Sequence, residues 1–116
     1  MNDNLLVDKS IDFAARILRL CKYLEDKKEY IISKQIARSG TSVGANINEA
    51  QYGSSKADFV SKLQISLKEA AETEYWIRLL FKAGYIDDKM FNSLLGDCIE
   101  VKKLLVASIN TAKKNS

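Results

Sequence analysis

The sequence has no histidine and no proline, and it contains only five glycines and two cysteines. Histidine is the commonest general base and a frequent metal ligand, so its absence removes the usual chemistry of many hydrolases and zinc sites. Because residues that break helices are so few, the chain can form long helices. β-Rich domains generally need more turn residues than this. The missing residue types therefore favour an all-helical protein, and we expect no enzyme activity.

The two cysteines and the mild charge exclude further classes of protein. Cys21 and Cys98 lie far apart, each inside a helical pattern, so we expect two small buried side chains, with no disulfide framework and no metal site. The 116 residues, of which 47% are hydrophobic and 28% charged, fit one globular domain spanning 1–116. The chain shows no signal peptide and no membrane-length apolar run, so we expect a cytoplasmic protein without membrane contact, cofactor or small-molecule substrate.

Apolar residues recur at helical spacing in four segments. The expected helices run from about Asp8 to Asp26, Tyr30 to Tyr52, Ser55 to Ala83 and Asp87 to Ala112. Ser55 and Asp87 are expected N-caps, and Gly84 stands where a left-handed C-cap belongs. Because the links are short, consecutive helices should pack antiparallel. The sequence therefore predicts an all-α, up-down-up-down four-helix bundle.

The second segment contains an unusual run of small residues from Ser39 to Ala45. Gly40 and Gly44 each cost a helix interior about 1 kcal/mol relative to alanine. Small side chains one turn apart would let another helix approach closely and offset that cost. The alternative is a kink or break near Gly40.

The third helix carries more apolar residues than one face can bury. Phe59, Leu63, Leu67, Ala70, Ile77 and Phe81 form the expected core stripe, with Leu95, Ile99 and Val106 forming a second stripe on the fourth helix. Ile65, Trp76 and Leu79 lie nearly opposite the core stripe, and Tyr75 adjoins them. A helix that is apolar on two sides is typical of an interface, so these four residues are the predicted oligomer contact. The alternative is a scattered set of exposed apolar side chains.

Glu74 falls within the expected core stripe of the third helix. A buried carboxylate needs a partner, because an unpaired buried charge is very costly. Arg38 and Asn46 on the second helix are the expected partners. We interpret the three residues as a structural polar network and not as a catalytic site.

Basic residues cluster on the first helix and around the first turn. Arg16, Arg19 and Lys22 point away from the Phe13 stripe, with Tyr23 among them, and the cluster continues through Lys27, Lys28 and Lys34. Repeated in an oligomer, this surface could bind RNA or DNA phosphates through counterion release. An ordinary solvated face is the alternative, since Asp12, Glu25, Asp26 and Glu29 are interspersed. A scaffold that binds only protein partners is the competing function.

Two longer patterns resemble a known family. The first is Gln35-Ile36-Ala37-Arg38-Ser39, then Ser42 and Asn46-Ile47-Asn48-Glu49-Ala50. The second is Asp58-Phe59, Leu63, Ser66-Leu67-Lys68-Glu69-Ala70 and Glu72-Thr73-Glu74-Tyr75-Trp76, closed by Gly84-Tyr85. Together they resemble the four-helix-bundle family also called the S23 or 23S rRNA intervening-sequence protein family.

This resemblance implies an up-down bundle that assembles as a ring-shaped homopentamer and has no established enzyme activity. A related branch, the accessory variability protein of diversity-generating retroelements, binds nucleic acid through a strongly basic surface. The net charge of +3 in this chain is smaller than that of the retroelement branch.

Overall fold

The computed structural model describes residues 3–115, which form four α-helices joined by short links. They are α1 (Asp3–Asp26), α2 (Ile31–Ala50), α3 (Lys56–Lys82) and α4 (Asp88–Lys114). Each helix packs against the next in the chain, and α4 returns to make a looser contact with α1. Helices α1 and α3 do not meet, nor do α2 and α4, so the four axes stand at the corners of a square. The predicted all-α four-helix bundle is confirmed, although α1 begins five residues before the expected Asp8.

Side-chain caps fix the start of two helices. The Ser55 hydroxyl accepts a hydrogen bond from the Asp58 amide at 3.1 Å, at the N-terminus of α3. The Asp87 carboxylate does the same for the Met90 amide at 2.8 Å, where α4 begins. Gly84 ends α3 with a φ of 85°, a left-handed conformation that costs glycine little. All three predicted helix boundaries are confirmed.

The α1–α2 link is a tight turn with a buried acidic side chain. Lys28 adopts a left-handed φ of 63°. Its amide donates to the Glu25 carbonyl, and the Glu29 amide donates to the Leu24 carbonyl, both at 2.9 Å. This pairing is a Schellman motif in which lysine occupies the position usually held by glycine. Glu29 is buried, and its carboxylate accepts a hydrogen bond from the Ser33 amide in the first turn of α2 at 2.8 Å.

Helix α2 continues through both of its glycines, so the predicted alternative of a break near Gly40 is wrong. The two glycines face α1 at close range. A Cβ atom on Gly40 would lie 2.8 Å from Cγ2 of Ile17, and one on Gly44 would lie 3.2 Å from the Ser10 hydroxyl. The missing side chains therefore let α1 approach α2 more closely than any larger residue would permit.

Hydroxyl groups join α2 to α3 inside the bundle. Ser66 donates to the Val43 carbonyl at 2.7 Å, and Thr73 donates to the Ser39 hydroxyl at 2.8 Å. The buried stripe of α3 is consequently rotated from the predicted one. Its members are Leu63, Ser66, Ala70, Thr73, Ile77 and Leu80, whereas Phe59, Leu67 and Phe81 are only partly buried.

Candidate assembly faces and a basic groove

The α1–α2 side of the bundle exposes an apolar stripe that the sequence analysis missed. Ile11 and Leu18 are 59% and 52% exposed. They alternate with Val7 and Ala14 at spacings of four, three and four, which puts all four on one face of α1. This spacing could have indicated the stripe from the sequence. The buried Phe13 stripe of the same helix has the same periodicity, however, so the spacing did not distinguish the two. Small residues of α2 continue the surface as a shallow groove: Thr41, Gly44, Ala45 and Asn48.

A second apolar surface covers the α3–α4 side. It follows the second stripe of α4, in which Val106 is 43% exposed and Leu95 and Ile99 are partly buried. Tyr75 on α3 is 57% exposed. Its neighbour Glu74 contacts α4 and thereby places this part of α3 beside the stripe. The α1–α2 and α3–α4 surfaces are on opposite sides of the square of helices.

The predicted contact residues of α3 differ in exposure. Ile65 is 41% exposed, whereas Trp76 and Leu79 are partly buried. The Trp76 indole N–H donates to Glu72 at 3.1 Å, and its ring meets the Tyr75 ring edge-on at a centroid distance of 5.0 Å. Trp76 therefore lies toward α2, where Glu72 pairs with Arg38, and the Tyr75 ring packs against it.

Glu74 does not pair with the residues predicted to hold it. Its carboxylate accepts hydrogen bonds from Lys102 at 2.9 Å and from Arg78 at 3.0 Å. These two cations, Lys102 foremost, hold the pKa of Glu74 below its usual value against the opposing effect of burial. The predicted network with Arg38 and Asn46 is wrong because Glu74 points toward α4, and both expected partners are on α2.

Arg38 instead bridges two other acids of α3. Its guanidinium donates to both oxygens of Glu69 at 3.2 Å and also to Glu72. The pKa of Glu72 is lowered mainly by this hydrogen bond from Arg38. Asn46 turns back on its own helix and donates to the Ser42 carbonyl at 2.9 Å. The ion pairs of Arg38 link α2 to α3 at the surface, where such pairs contribute modestly to stability.

The six basic residues predicted to bind nucleic acid lie on different surfaces. Arg16 and Arg19 line the groove between α1 and α4, where they are joined by Tyr23. Lys27 lies at the end of the same helix with its ammonium 5.0 Å from the centroid of the Tyr23 ring. Lys22, Lys28 and Lys34 are exposed, but they do not line this groove.

The α1–α4 groove has two halves with different electrostatic character. In the half nearer the chain termini, of about 260 Å³, two cross-groove ion pairs neutralise the walls. These are Arg16–Asp97 at 2.6 Å and Lys9–Glu100 at 3.3 Å. The other half, of about 220 Å³, has an apolar floor and no acidic residue among those described as lining it. Its lining residues are Arg16, Arg19, Leu20, Tyr23, Met90 and Leu94.

The thiols are poorly suited to nucleophilic chemistry. Cys21 and Cys98 are both free and buried. Burial raises the pKa of Cys98 to about 12 and also raises the pKa of Cys21. Since the thiolate is the reactive form, neither side chain is activated at neutral pH. Within residues 3–115, no three acidic or cysteine side chains are grouped to hold a metal ion, and no helix is long and apolar enough to cross a membrane.

Comparison with known proteins identifies a protein family and a similar solved structure. A family model described as "23S rRNA-intervening sequence protein" matches residues 2–107. The crystal structure of a protein of unknown function from the S23 ribosomal protein family of Bacteroides thetaiotaomicron is 51% identical in sequence. It superposes with a TM-score of 0.93 over 95% of this chain and 99% of that one. No curated protein matches the chain.

Proposed function

Because the chain belongs to the 23S rRNA-intervening sequence protein family, we propose that it is a non-enzymatic helical module that forms a homo-oligomeric ring and binds nucleic acid. One arrangement carries this proposal. Two different apolar faces lie on opposite sides of the bundle, and the side between them holds the groove with Arg16, Arg19 and Tyr23. Assembly through the apolar faces would leave this groove uncovered in every subunit.

Two unlike faces on opposite sides favour head-to-tail assembly over a two-fold dimer. A two-fold dimer uses the same patch on both subunits, whereas a ring joins one patch to a different patch on the next subunit. The α1–α2 face, centred on Ile11 and Leu18, would meet the α3–α4 face, centred on Ile99 and Val106. The pentamer implied by the resemblance gives the expected number of subunits.

Repetition of the groove supports nucleic-acid binding despite the modest net charge. One chain carries a formal charge of only +3. A ring presents the cations of the groove several times, and each phosphate contact releases counterions from the nucleic acid. The name of the matching family directs the first experiments to fragments of 23S rRNA.

Assembly is tested with two variants that each damage one face. Leu18→Glu disrupts the α1–α2 face, and Val106→Glu disrupts the α3–α4 face. We expect light scattering at micromolar concentration to report about five chains for the wild type and one chain for each variant. Mixing the two variants should give a dimer, because each retains the face that the other has lost. Gln35→Glu, on an exposed position of α2 outside both faces, is the matched control and should remain a ring.

The mixing experiment also identifies the wrong alternatives. A monomeric wild type would refute assembly. Homodimers of each variant alone would refute the ring in favour of a two-fold contact. If Ile65→Glu dissociates the oligomer and Leu18→Glu and Val106→Glu do not, the interface is instead the outer surface of α3.

Nucleic-acid binding is tested by fluorescence anisotropy with labelled 23S rRNA fragments and duplex DNA at low and moderate salt. We expect binding that weakens steeply as salt increases. Arg19→Gln should weaken binding more than Lys114→Gln, which removes the same charge at the other end of the bundle. Absence of binding to any probe at low salt would overturn this part of the proposal and would favour the protein scaffold.

A further inference from the structure

The half of the α1–α4 groove nearer the α1–α2 link combines three kinds of side chain that unpaired nucleotides require. Leu20, Met90 and Leu94 form its apolar floor. Tyr23 supplies an aromatic ring, and Arg19 lies one turn before it on the same helix. Aromatic rings stack on exposed bases, and arginine binds phosphate or stacks on a base face.

We propose that this half-groove binds an unpaired nucleotide, with the base against Tyr23 and the adjoining phosphate beside Arg19. The inference rests on the proposed nucleic-acid function and specifies the form of nucleic acid as single-stranded. The bases of a duplex are stacked inside it, so a duplex can offer only its phosphates to the arginines and has nothing for the apolar floor. Single strands can turn a base outward into a recess.

Lys27 lies in a position that is compatible with this role. Its ammonium is over the Tyr23 ring, and the lysine side chain is exposed at the end of α1. Cation–π contacts at exposed sites are weak, so an incoming base can replace the ammonium over the ring. The released lysine would then be free to contact the next phosphate along the strand.

The other half of the groove limits where the strand can run. Asp12, Asp97 and Glu100 line it, and the two basic residues nearest to the acids are already engaged in ion pairs. Phosphates gain little there, because the ion pairs already neutralise Lys9 and Arg16. Past Arg19 the strand is therefore expected to continue toward the α1–α2 link and not toward the chain termini.

The test compares single-stranded RNA, single-stranded DNA and duplexes of the same length, by anisotropy, with the full chain. We expect the wild type to bind the single strands more tightly than the duplexes. Tyr23→Leu keeps an apolar side chain but removes the ring, and it should weaken single-strand binding about 5- to 100-fold. Tyr23→Phe should bind like the wild type, and Tyr52→Leu removes an exposed tyrosine at the far end of the bundle as the control.

Each outcome has a separate meaning. If Tyr23→Leu weakens single strands selectively and its thermal melt shows that it is folded, the inference holds. Tighter binding of single-stranded RNA than of single-stranded DNA would support the inference and would show that the ribose hydroxyl is also recognised. If single strands and duplexes bind equally and Tyr23→Leu changes neither, the half-groove is not a base site, although the proposed function survives. If no nucleic acid binds at low salt, both proposals fail.

Discussion

A methyl group added at Gly40 probes the close contact between α1 and α2. The new Cβ would lie 2.8 Å from Cγ2 of Ile17 and 3.0 Å from its Cγ1. Real Cβ contacts are longer than this, so one helix must move. Ile17 is completely buried, which leaves its branched side chain no open space to rotate into.

Two opposing effects decide the sign of the Gly40→Ala change. In an unobstructed helix interior, alanine is more stable than glycine by about 1 kcal/mol. Overpacking a close-packed core costs about 1–3 kcal/mol. With the contact at 2.8 Å we expect the second effect to exceed the first, so that the free energy of unfolding falls by up to about 2 kcal/mol.

Gly96→Ala is the matched control on α4. Nothing outside its own helix lies within 4 Å of a Cβ built at Gly96, which is exposed. Here the helix preference acts alone and should raise stability by about 0.5–1 kcal/mol. The same substitution in the same fold is therefore expected to have opposite signs at the two positions.

Urea unfolding followed by circular dichroism measures both variants, at one protein concentration because the proposed assembly would contribute to apparent stability. A double-mutant cycle with Ile17→Ala identifies the cause. Removing both γ-carbons should make Gly40→Ala less harmful in the Ile17→Ala background, with a coupling of about 1 kcal/mol or more. If Gly40→Ala stabilises the protein as much as Gly96→Ala does, the close contact between α1 and α2 is refuted.

Three further predictions concern local strain and titration. Lys28→Gly should stabilise the fold by about 1 kcal/mol, because glycine accepts the left-handed backbone of the first link; thermal melts should show no such gain for Lys28→Ala, which loses the same charge. The pKa of Glu74 is lowered in the folded state, so the ionised carboxylate stabilises the fold fully above the unfolded pKa near 4.3. This stabilisation is lost as the pH falls further. Glu74→Gln should therefore flatten acid unfolding curves below about pH 5. Burial raises the pKa of Cys98 to about 12, so on raising the pH the thiol ionises first in the unfolded state. Stability should therefore fall from about pH 8.5 upward. Urea unfolding at alkaline pH should show a less steep fall in Cys98→Ala.

The elements whose signals are local could be predicted from the sequence. Ser55 and Asp87 begin helices because their side chains bond to amides three residues ahead, and such spacing is visible in the sequence. The breaker-poor composition and four periodic segments were enough to predict the bundle. By contrast, the left-handed backbone conformation of Lys28 could not be predicted from the sequence, because lysine rarely adopts it.

Partners on other helices were predicted least well. Glu74 has candidate cations on two neighbouring helices, and its choice of Lys102 over Arg38 depends on the rotation of α3 about its axis. Periodicity gives that rotation only to within a residue or so. The same uncertainty in helix rotation affected the predicted basic cluster of α1. Arg16 and Arg19 face α4, whereas Lys22 points to solvent.

The rotation of α3 has a specific physical origin. A hydroxyl group is commonly expected at the surface, but Ser66 and Thr73 are completely buried, and both donate hydrogen bonds to α2. Once its hydrogen bond is satisfied, a buried hydroxyl carries little penalty, and its small volume lets two helices pack closely. Placing these small residues at the centre leaves larger ones at the margins, so that Leu67 and Phe59 are only partly buried. The close packing that makes α2 and α3 a stable pair therefore also moves apolar area outward, where a neighbouring subunit of the proposed ring would cover it.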